Sequence, residues 1–292
     1  MMSPKKVVED SGRIDRSDAP SLHWRGFVPD GDPSPAMLIF VHGLAEHFGR
    51  YGFPVDFFTQ RGFPCYGLDL RGHGLSEGKR VHIWRFQNYL DDVDALVELA
   101  RSRHPSLDVV LVGHSMGGVV ALFYALQQSH KLRGLVLSSP GLRVHPDSEP
   151  PAALLFFGRI ASVVCPTLSF SSRLNARLVS RDPEVVERYR EDPLVTSKVT
   201  ARWATEFLGA QKRSLETAPD LDLPVLAMQS GSDRLVDPAA TEEWAQGLTH
   251  PLSRFQPWPG LFHEMFNEPE RQDVFEHLEG WLEELLRAES KG

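Results

Sequence analysis

Cysteine is scarce in this chain. Its 292 residues include only Cys65 and Cys165, too few for a disulfide framework and without metal-ligand spacing. Both are read as buried thiols, because free cysteine packs as a small hydrophobe. Basic charge is short as well: 31 Lys and Arg against 39 Asp and Glu leave a net charge of −8. A nucleic-acid partner needs a basic face, so none is expected. No window approaches the ~18 apolar residues that span a bilayer. The first twenty residues carry no apolar segment of the signal-peptide kind. Residues 1–20, charged and broken by Ser, Gly and Pro, are expected to be a mobile segment. The location expected is cytoplasmic, with contact at a membrane periphery left open. Internal repeats and low-complexity tracts are absent too. The 41% hydrophobic share is ample for a large core.

What the chain does have is alternation. Leu22–Val28 reads as a strand, and Met37-Leu38-Ile39-Phe40-Val41 as a buried one. Residues 51–60 suit a helix, residues 64–70 a strand, and residues 86–100 an amphipathic helix with apolar positions near 3.6 spacing. Val109–Val112, Ser115–Gln127 and Gly134–Ser138 continue as strand, helix, strand. Such alternation implies right-handed βαβ units and a mostly parallel sheet flanked by helices, an α/β fold. From Gly141 to about Pro219 the pattern breaks into helix-like pieces with no convincing strand. It resumes at Pro224–Met228, followed by a short helix over 241–247, a strand over 253–257 and a last amphipathic helix, for which Asn267 reads as the N-cap. The organisation expected is one α/β core, residues 21–140 and 220–292, with a helical insertion over 141–219. A segment of that length without a role of its own is uncommon.

Gly113-His114-Ser115-Met116-Gly117 sits between an apolar strand and a helix-compatible run. That is the strand–turn–helix context of a nucleophile elbow. The sharp turn forces the serine toward positive φ, and glycines two before and two after it remove Cβ clashes. A serine held this way is a nucleophile if a base can reach it. In folds built on this elbow the partners follow in the order Ser, acid, His. For the acid, Asp233 lies in the Gly/Ser-rich turn after the 224–228 strand. Asp237, the alternative, precedes Pro238 and reads as a helix cap. For the base, His277 lies in the last helix, His250 in a linker and His145 in the insertion, and His130 also follows the serine. His263, in the loop between the last strand and the last helix, fits best. The His42-Gly43-Leu44 turn ends an early strand. Its Leu44 amide and that of Met116 are the expected oxyanion donors, worth ~3 kcal/mol each. His42 and His114 are read as structural.

These segments together resemble a known family. His42–Tyr51, Asp69–Gly78, Gly113–Gly118, Gly231–Asp237 and His263–Glu270 are similar to the corresponding segments of the monoacylglycerol lipase-like (lysophospholipase-type) α/β-hydrolases. The resemblance spans about Leu22 to Leu286 and is least diagnostic in the insertion. It implies an α/β-hydrolase fold with a helical cap. It also implies monoglyceride or lysophospholipid hydrolysis, and no cofactor. It carries over Ser115 as nucleophile, Asp233 as orienter, His263 as base, and the Leu44 and Met116 amides as oxyanion donors. Glu46, Arg50 and Tyr51 are read as bracing their loop, and Arg71–Ser76 as tight turns beside the pocket. No metal site is expected.

The rivals are a carboxylesterase of small acyl esters, a peptidase or amidase on the same scaffold, an acyltransferase, and a binding module that lost the chemistry. No triad member is missing, which argues against the last. Epoxide hydrolase and dehalogenase chemistry would need Asp at position 115. In the insertion, residues 152–164 form an apolar helix-like stretch carrying Arg159, too short to span a membrane. Two readings follow: a cap helix buried against the core and lining an apolar pocket, or a face that dips into a lipid surface. The first is preferred, because apolar stretches of this size usually pack internally. Chain length, headgroup and oligomeric state are not legible.

Overall fold

A computed structural model describes residues 5–172 and 174–288. In chain order, the elements before the insertion are β1 (Val7–Arg16), β2 (Ala19–Pro29), β3 (Ala36–Val41), α1 (Gly52–Gln60), β4 (Cys65–Leu68), α2 (Gln87–Arg103), β5 (Asp108–His114), α3 (Met116–Gln128) and β6 (Gly134–Ser138). The insertion contributes α4 (Ala152–Val164), β7 (Ser169–Ser171), α5 (Pro183–Glu191), β8 (Lys198–Thr200) and α6 (Ala201–Ser214). Then come β9 (Val225–Ser230), α7 (Pro238–Ala245), β10 (Arg254–Trp258) and α8 (Arg271–Arg287).

Eight strands form one sheet in the order β1-β2-β4-β3-β5-β6-β9-β10. The pairs from β4 to β10 are parallel, and β2 meets both its neighbours antiparallel. The central strands are buried on both faces, which is why they read as unbroken apolar runs. Alternate residues of β3 part company: Met37, Ile39 and Val41 join a core with α2 and α3, whereas Leu38 and Phe40 join one with α1 and α8. On α8, Val274, Leu278, Leu282 and Leu285 recur at helical spacing and are fully buried. Each such side chain contributes ~1.5–3 kcal/mol.

Five expectations need correction. Residues 7–16 are not a mobile lead-in but an edge strand, and residues 1–4 lie outside the described residues. A ladder with β2 satisfies the β1 backbone without any apolar run, and its charged side chains suit an edge. Arg25 holds Glu9 across the pair at 2.7 and 2.9 Å, and Arg16 reaches buried Asp92 at 2.7 Å. The insertion does contain strands, β7 and β8, paired with each other. At three residues each, they are too short to leave a period in the sequence. Asn267 does not cap α8. It sits in a single helical turn at 265–267, and its Nδ2 donates to Glu264 at 2.8 Å. Cys65 is buried but Cys165 is exposed, at the end of α4.

α4 itself is the largest departure. It is not buried against the core. Among its residues only Ser162 is buried, whereas Phe156, Phe157, Ile160, Val163 and Val164 are exposed, Val163 at 79%. The half-buried positions Leu155, Gly158 and Ala161 flank Ser162 on the face toward α6, the helix that α4 packs against. That inner face carries Leu155 with the small residues Gly158, Ala161 and Ser162, whereas the aromatic and most β-branched apolar side chains point outward.

The insertion leaves the sheet after β6 and returns as β9, its neighbour. It reaches over the C-terminal ends of the strands. Thr196 N donates to Ala45 O at 3.1 Å, and Thr200 N donates to Val81 O at 3.2 Å.

Candidate active site

The loops after β3, β5, β9 and β10 converge at one edge of the sheet. The turn after β5 holds Ser115 at φ 53° and ψ −119°, outside the range an L-residue favours. Only glycines tolerate the crowding around it. A Cβ at Gly117 would run into the Val41 and His42 carbonyl oxygens, and one at Gly113 would meet Gly117 O and Ala121. The serine is pinned by its backbone, with Ser115 N donating to Ser138 O at 3.0 Å and Ser115 O accepting from Gly141 N at 2.8 Å.

His263 Nε2 lies 2.8 Å from Ser115 Oγ, and its Nδ1 lies 2.6 Å from Asp233 Oδ2. The other Asp233 oxygen accepts from the amides of Leu235 and Val236 at 2.8 and 3.1 Å. Both Asp233 and His263 are buried. Burial alone would lower the imidazole pKa. Asp233, through its charge and its hydrogen bond, outweighs that, and with Glu264 and Glu46 leaves the pKa raised. The arrangement is a hydroxyl, a base that can take its proton, and an anion that fixes the tautomer of the base.

The turn after β3 closes the group. A Cβ at Gly43 would lie 3.2 Å from Ser115 Cβ, so this backbone is packed against the serine. Met116 is the first residue of α3, where the opening N–H groups have no earlier helical partner. Neither the Leu44 nor the Met116 amide has an acceptor among the described residues. Two unspent N–H donors flank Ser115.

Residues 32–270 match the family model Hydrolase_4, described as serine aminopeptidase, S33. The chain belongs to that family. Among curated relatives it is 35% identical to phospholipase YtpA of Bacillus subtilis, over 87% of this chain and 98% of that protein. It is 34% identical to a monoacylglycerol lipase of Mycolicibacterium smegmatis, over 88% of this chain and 90% of that one. A crystal structure of a monoacylglycerol lipase from Paleococcus ferrophilus superposes with a TM-score of 0.81 at 29% identity, covering 90% and 99% of the two chains. The fold is the α/β-hydrolase fold.

In this Hydrolase_4 chain the remaining candidates serve structure. Asp237 caps α7, accepting from Ala239 N at 3.1 Å, and pairs with Arg143 at 2.8 Å. His145 and His250 accept from backbone amides two residues on. His277 packs its ring against Trp258, and His130 lies exposed in a turn after α3. His42 bridges Gly43 O at 2.8 Å and Leu70 N at 2.9 Å. Burial depresses its pKa, which favours the neutral form. His114 bonds Ser138 O at 3.0 Å, and burial, with His263 beside it, pushes it down to about 4. Asp69 carries the 69–78 turns, accepting from Phe48 N and Leu75 N at 2.9 and 2.8 Å.

Two groups at the site went unread in the sequence. Phe207 of α6 approaches the serine turn: a Cβ at Gly141 would be 3.3 Å from the Ser115 carbonyl and 3.4 Å from the Phe207 ring. Glu268, fully buried, accepts from Ser180 Oγ, Arg181 N and Phe262 N at 2.7, 2.6 and 3.1 Å, fastening the insertion to the histidine loop. The only signals were apolar spacing in 201–214 and the acids after Asn267, which read as the first turn of the last helix, although α8 begins only at Arg271. No group of His, Cys, Asp and Glu suited to a metal occurs among the described residues.

Proposed function

We propose that this protein is a carboxylic ester hydrolase acting on lipid esters, monoacylglycerol or lysophospholipid, through an acyl-enzyme on Ser115. One observation carries the chemistry: a strained serine hydroxyl 2.8 Å from an imidazole that a buried carboxylate orients at 2.6 Å. His263 takes the Ser115 proton as the hydroxyl attacks the ester carbonyl. The Leu44 and Met116 amides receive the developing oxyanion. His263 then returns the proton to the departing alcohol, and water, activated by the same imidazole, releases the fatty acid. The lipid substrate rests on the two relatives named for monoacylglycerol lipase and phospholipase activity, at 34% and 35% identity.

Residues 141–219 serve in this reading as a cap over Ser115. The outward apolar stripe of α4 favours the lipid-surface reading of that cap over the buried one. Phe156, Phe157, Ile160 and Val163 share one side of the helix, as in helices that lie in a membrane interface. No helix among the described residues is long and apolar enough to cross a membrane, and the contact proposed is a peripheral one. Replacing Phe156 and Phe157 with serine is expected to reduce binding to phosphatidylcholine vesicles in a flotation assay. Hydrolysis of a dissolved short-chain ester should stay unchanged.

The deciding test is turnover across monoacylglycerols, lysophospholipids, p-nitrophenyl esters of stepped chain length and aminoacyl amides. The account expects medium- and long-chain glycerol or phospho-alcohol esters to be preferred. Preference for aminoacyl amides, the activity in the family description, would overturn it. The pH dependence follows from the base. Only neutral His263 can accept the proton, and its pKa is raised. The acidic limb of kcat/KM should therefore fall at a midpoint above the ordinary imidazole value of about 6.5.

A further inference from the structure

Arg50 and Glu264 are 214 positions apart in sequence, yet they form a two-pronged ion pair within the site. Arg50 Nη1 and Nη2 reach the two Glu264 oxygens, each at 2.7 Å. Nη1 also holds Glu46 Oε2 at 2.6 Å. The other Glu46 oxygen accepts from Gly43 N at 2.6 Å and from the Tyr51 hydroxyl at 2.9 Å. Glu264 is the residue after His263, and it also accepts from Asn267 at 2.8 Å. From the insertion, the Tyr189 ring of α5 lies 4.5 Å from the guanidinium carbon. Glu46 and Glu264 are about 5% exposed.

We propose that Arg50 is a positioning residue for this hydrolysis: its guanidinium ties the turn bearing Gly43 and Leu44 to the loop bearing His263, under the cover of Tyr189. The proposal rests on the acyl-enzyme reading above. An oxyanion donor and a general base belong to loops after β3 and β10, strands that are not neighbours in the sheet. Their separation has to hold within fractions of an ångström, since a displacement of 1 Å can cost ~10²-fold in rate. A planar, bidentate guanidinium between two carboxylates fixes both distance and orientation. Lysine keeps the charge but not the fork.

The cluster is also an electrostatic one. His263 is faced by Asp233 from the β9 loop and by Ser115 and His114 from the elbow. Glu46 faces it from the β3 loop, and Glu264 is its own neighbour. Arg50 is faced by Glu46, Glu264, Tyr51 and Tyr189, with the His47–Asp192 pair beyond them. Two carboxylates against one guanidinium leave a buried excess of negative charge. Both acids already favour the imidazolium. Removing Arg50 uncovers them, so His263 should hold its proton to higher pH. Removing the Glu264 charge should do the reverse.

The test is steady-state hydrolysis of a dissolved p-nitrophenyl ester from pH 5 to 9 by wild type, Arg50→Lys, Arg50→Met, Glu264→Gln and the Arg50→Met/Glu264→Gln double variant. Each kcat is divided by the folded fraction from circular dichroism. Arg50→Met is expected to lower kcat ~10²-fold with little change in KM, and to move the acidic limb to higher pH. Arg50→Lys should recover the limb but only part of kcat. Glu264→Gln should move the limb down, and the double variant should bring it back toward wild type. Should Arg50→Met not fold, Arg50→Lys and Glu264→Gln carry the same contrast. Profiles that superimpose on wild type after correction for folded protein would overturn the proposal, because loop bracing alone would not move a pH limb. An inactive wild type in the same assay would instead sink the acyl-enzyme reading.

Discussion

Ser115→Ala is expected to lower kcat for a medium-chain p-nitrophenyl ester by ~10⁵–10⁶-fold and to remove all labelling by a fluorophosphonate probe. The residue removed is the only hydroxyl within hydrogen-bond distance of His263 among the described residues. Alanine keeps a Cβ and adds none, so the elbow, which Gly113 and Gly117 make room for, is not crowded further. The variant should fold, with a Tm near that of wild type. Any residual rate then reports what binding and the Leu44 and Met116 amides achieve without a nucleophile. The result also separates hydrolysis from a binding-only role, since a binding module would show the same low rate in wild type.

The second large effect is expected at Asp233. Asp233→Asn should reduce kcat ~10⁴-fold, as in other triads where the orienting acid becomes an amide, while KM changes little. The asparagine Oδ1 can still accept from the Leu235 and Val236 amides, which hold the loop at 2.8 and 3.1 Å. Its NH₂ group, however, faces His263 Nδ1, where the native oxygen sits at 2.6 Å. An amide donor there favours the tautomer with Nδ1 bare and Nε2 protonated, and Nε2 is then unable to take the serine proton. The same change removes the leading influence that holds the imidazole pKa up. The residual activity of Asp233→Asn should therefore have its acidic limb at lower pH than wild type. Asp237→Asn, by contrast, touches only the α7 cap and the Arg143 pair. It should change stability by ~1 kcal/mol at most and leave kcat within a factor of two or so of wild type.

The contrast between these acids bears on what a single sequence can disclose. Both lie in one loop, and one precedes a proline. Proline after an acid signals a helix start through local geometry, and local geometry is what a sequence carries. The parallel strands were legible for the same reason. Burial on both faces demands unbroken apolar runs, and β3, β5, β6 and β9 have them. Ser115, Asp233 and His263 stood out by chain order and loop type, and the fold brings them within hydrogen-bond distance.

Other features depend on partners distant in sequence, and there the reading failed or was silent. β1 is charged and carries no hydrophobic period, yet β2 supplies its ladder. α4 looked like a core helix because apolar content does not say which face a neighbour will cover. Leu155, Gly158, Ala161 and Ser162 took the inner face, and Phe156, Phe157, Ile160, Val163 and Val164 were left outside. The Arg50–Glu264 pair spans two loops with no spacing rule between them. The acid after His263 read as part of a motif, and its counter-charge could be found only in three dimensions.

The central claim is a covalent intermediate on one serine. Its most direct test is rapid quenching of the enzyme during turnover of a medium-chain monoacylglycerol, followed by mass spectrometry of the intact chain and its peptides. The account predicts one acyl group per chain, on the peptide containing Ser115, absent in Ser115→Ala and decaying as free fatty acid appears. Turnover with an unmodified Ser115 peptide, or an acyl group on another residue at the rate of turnover, would contradict it.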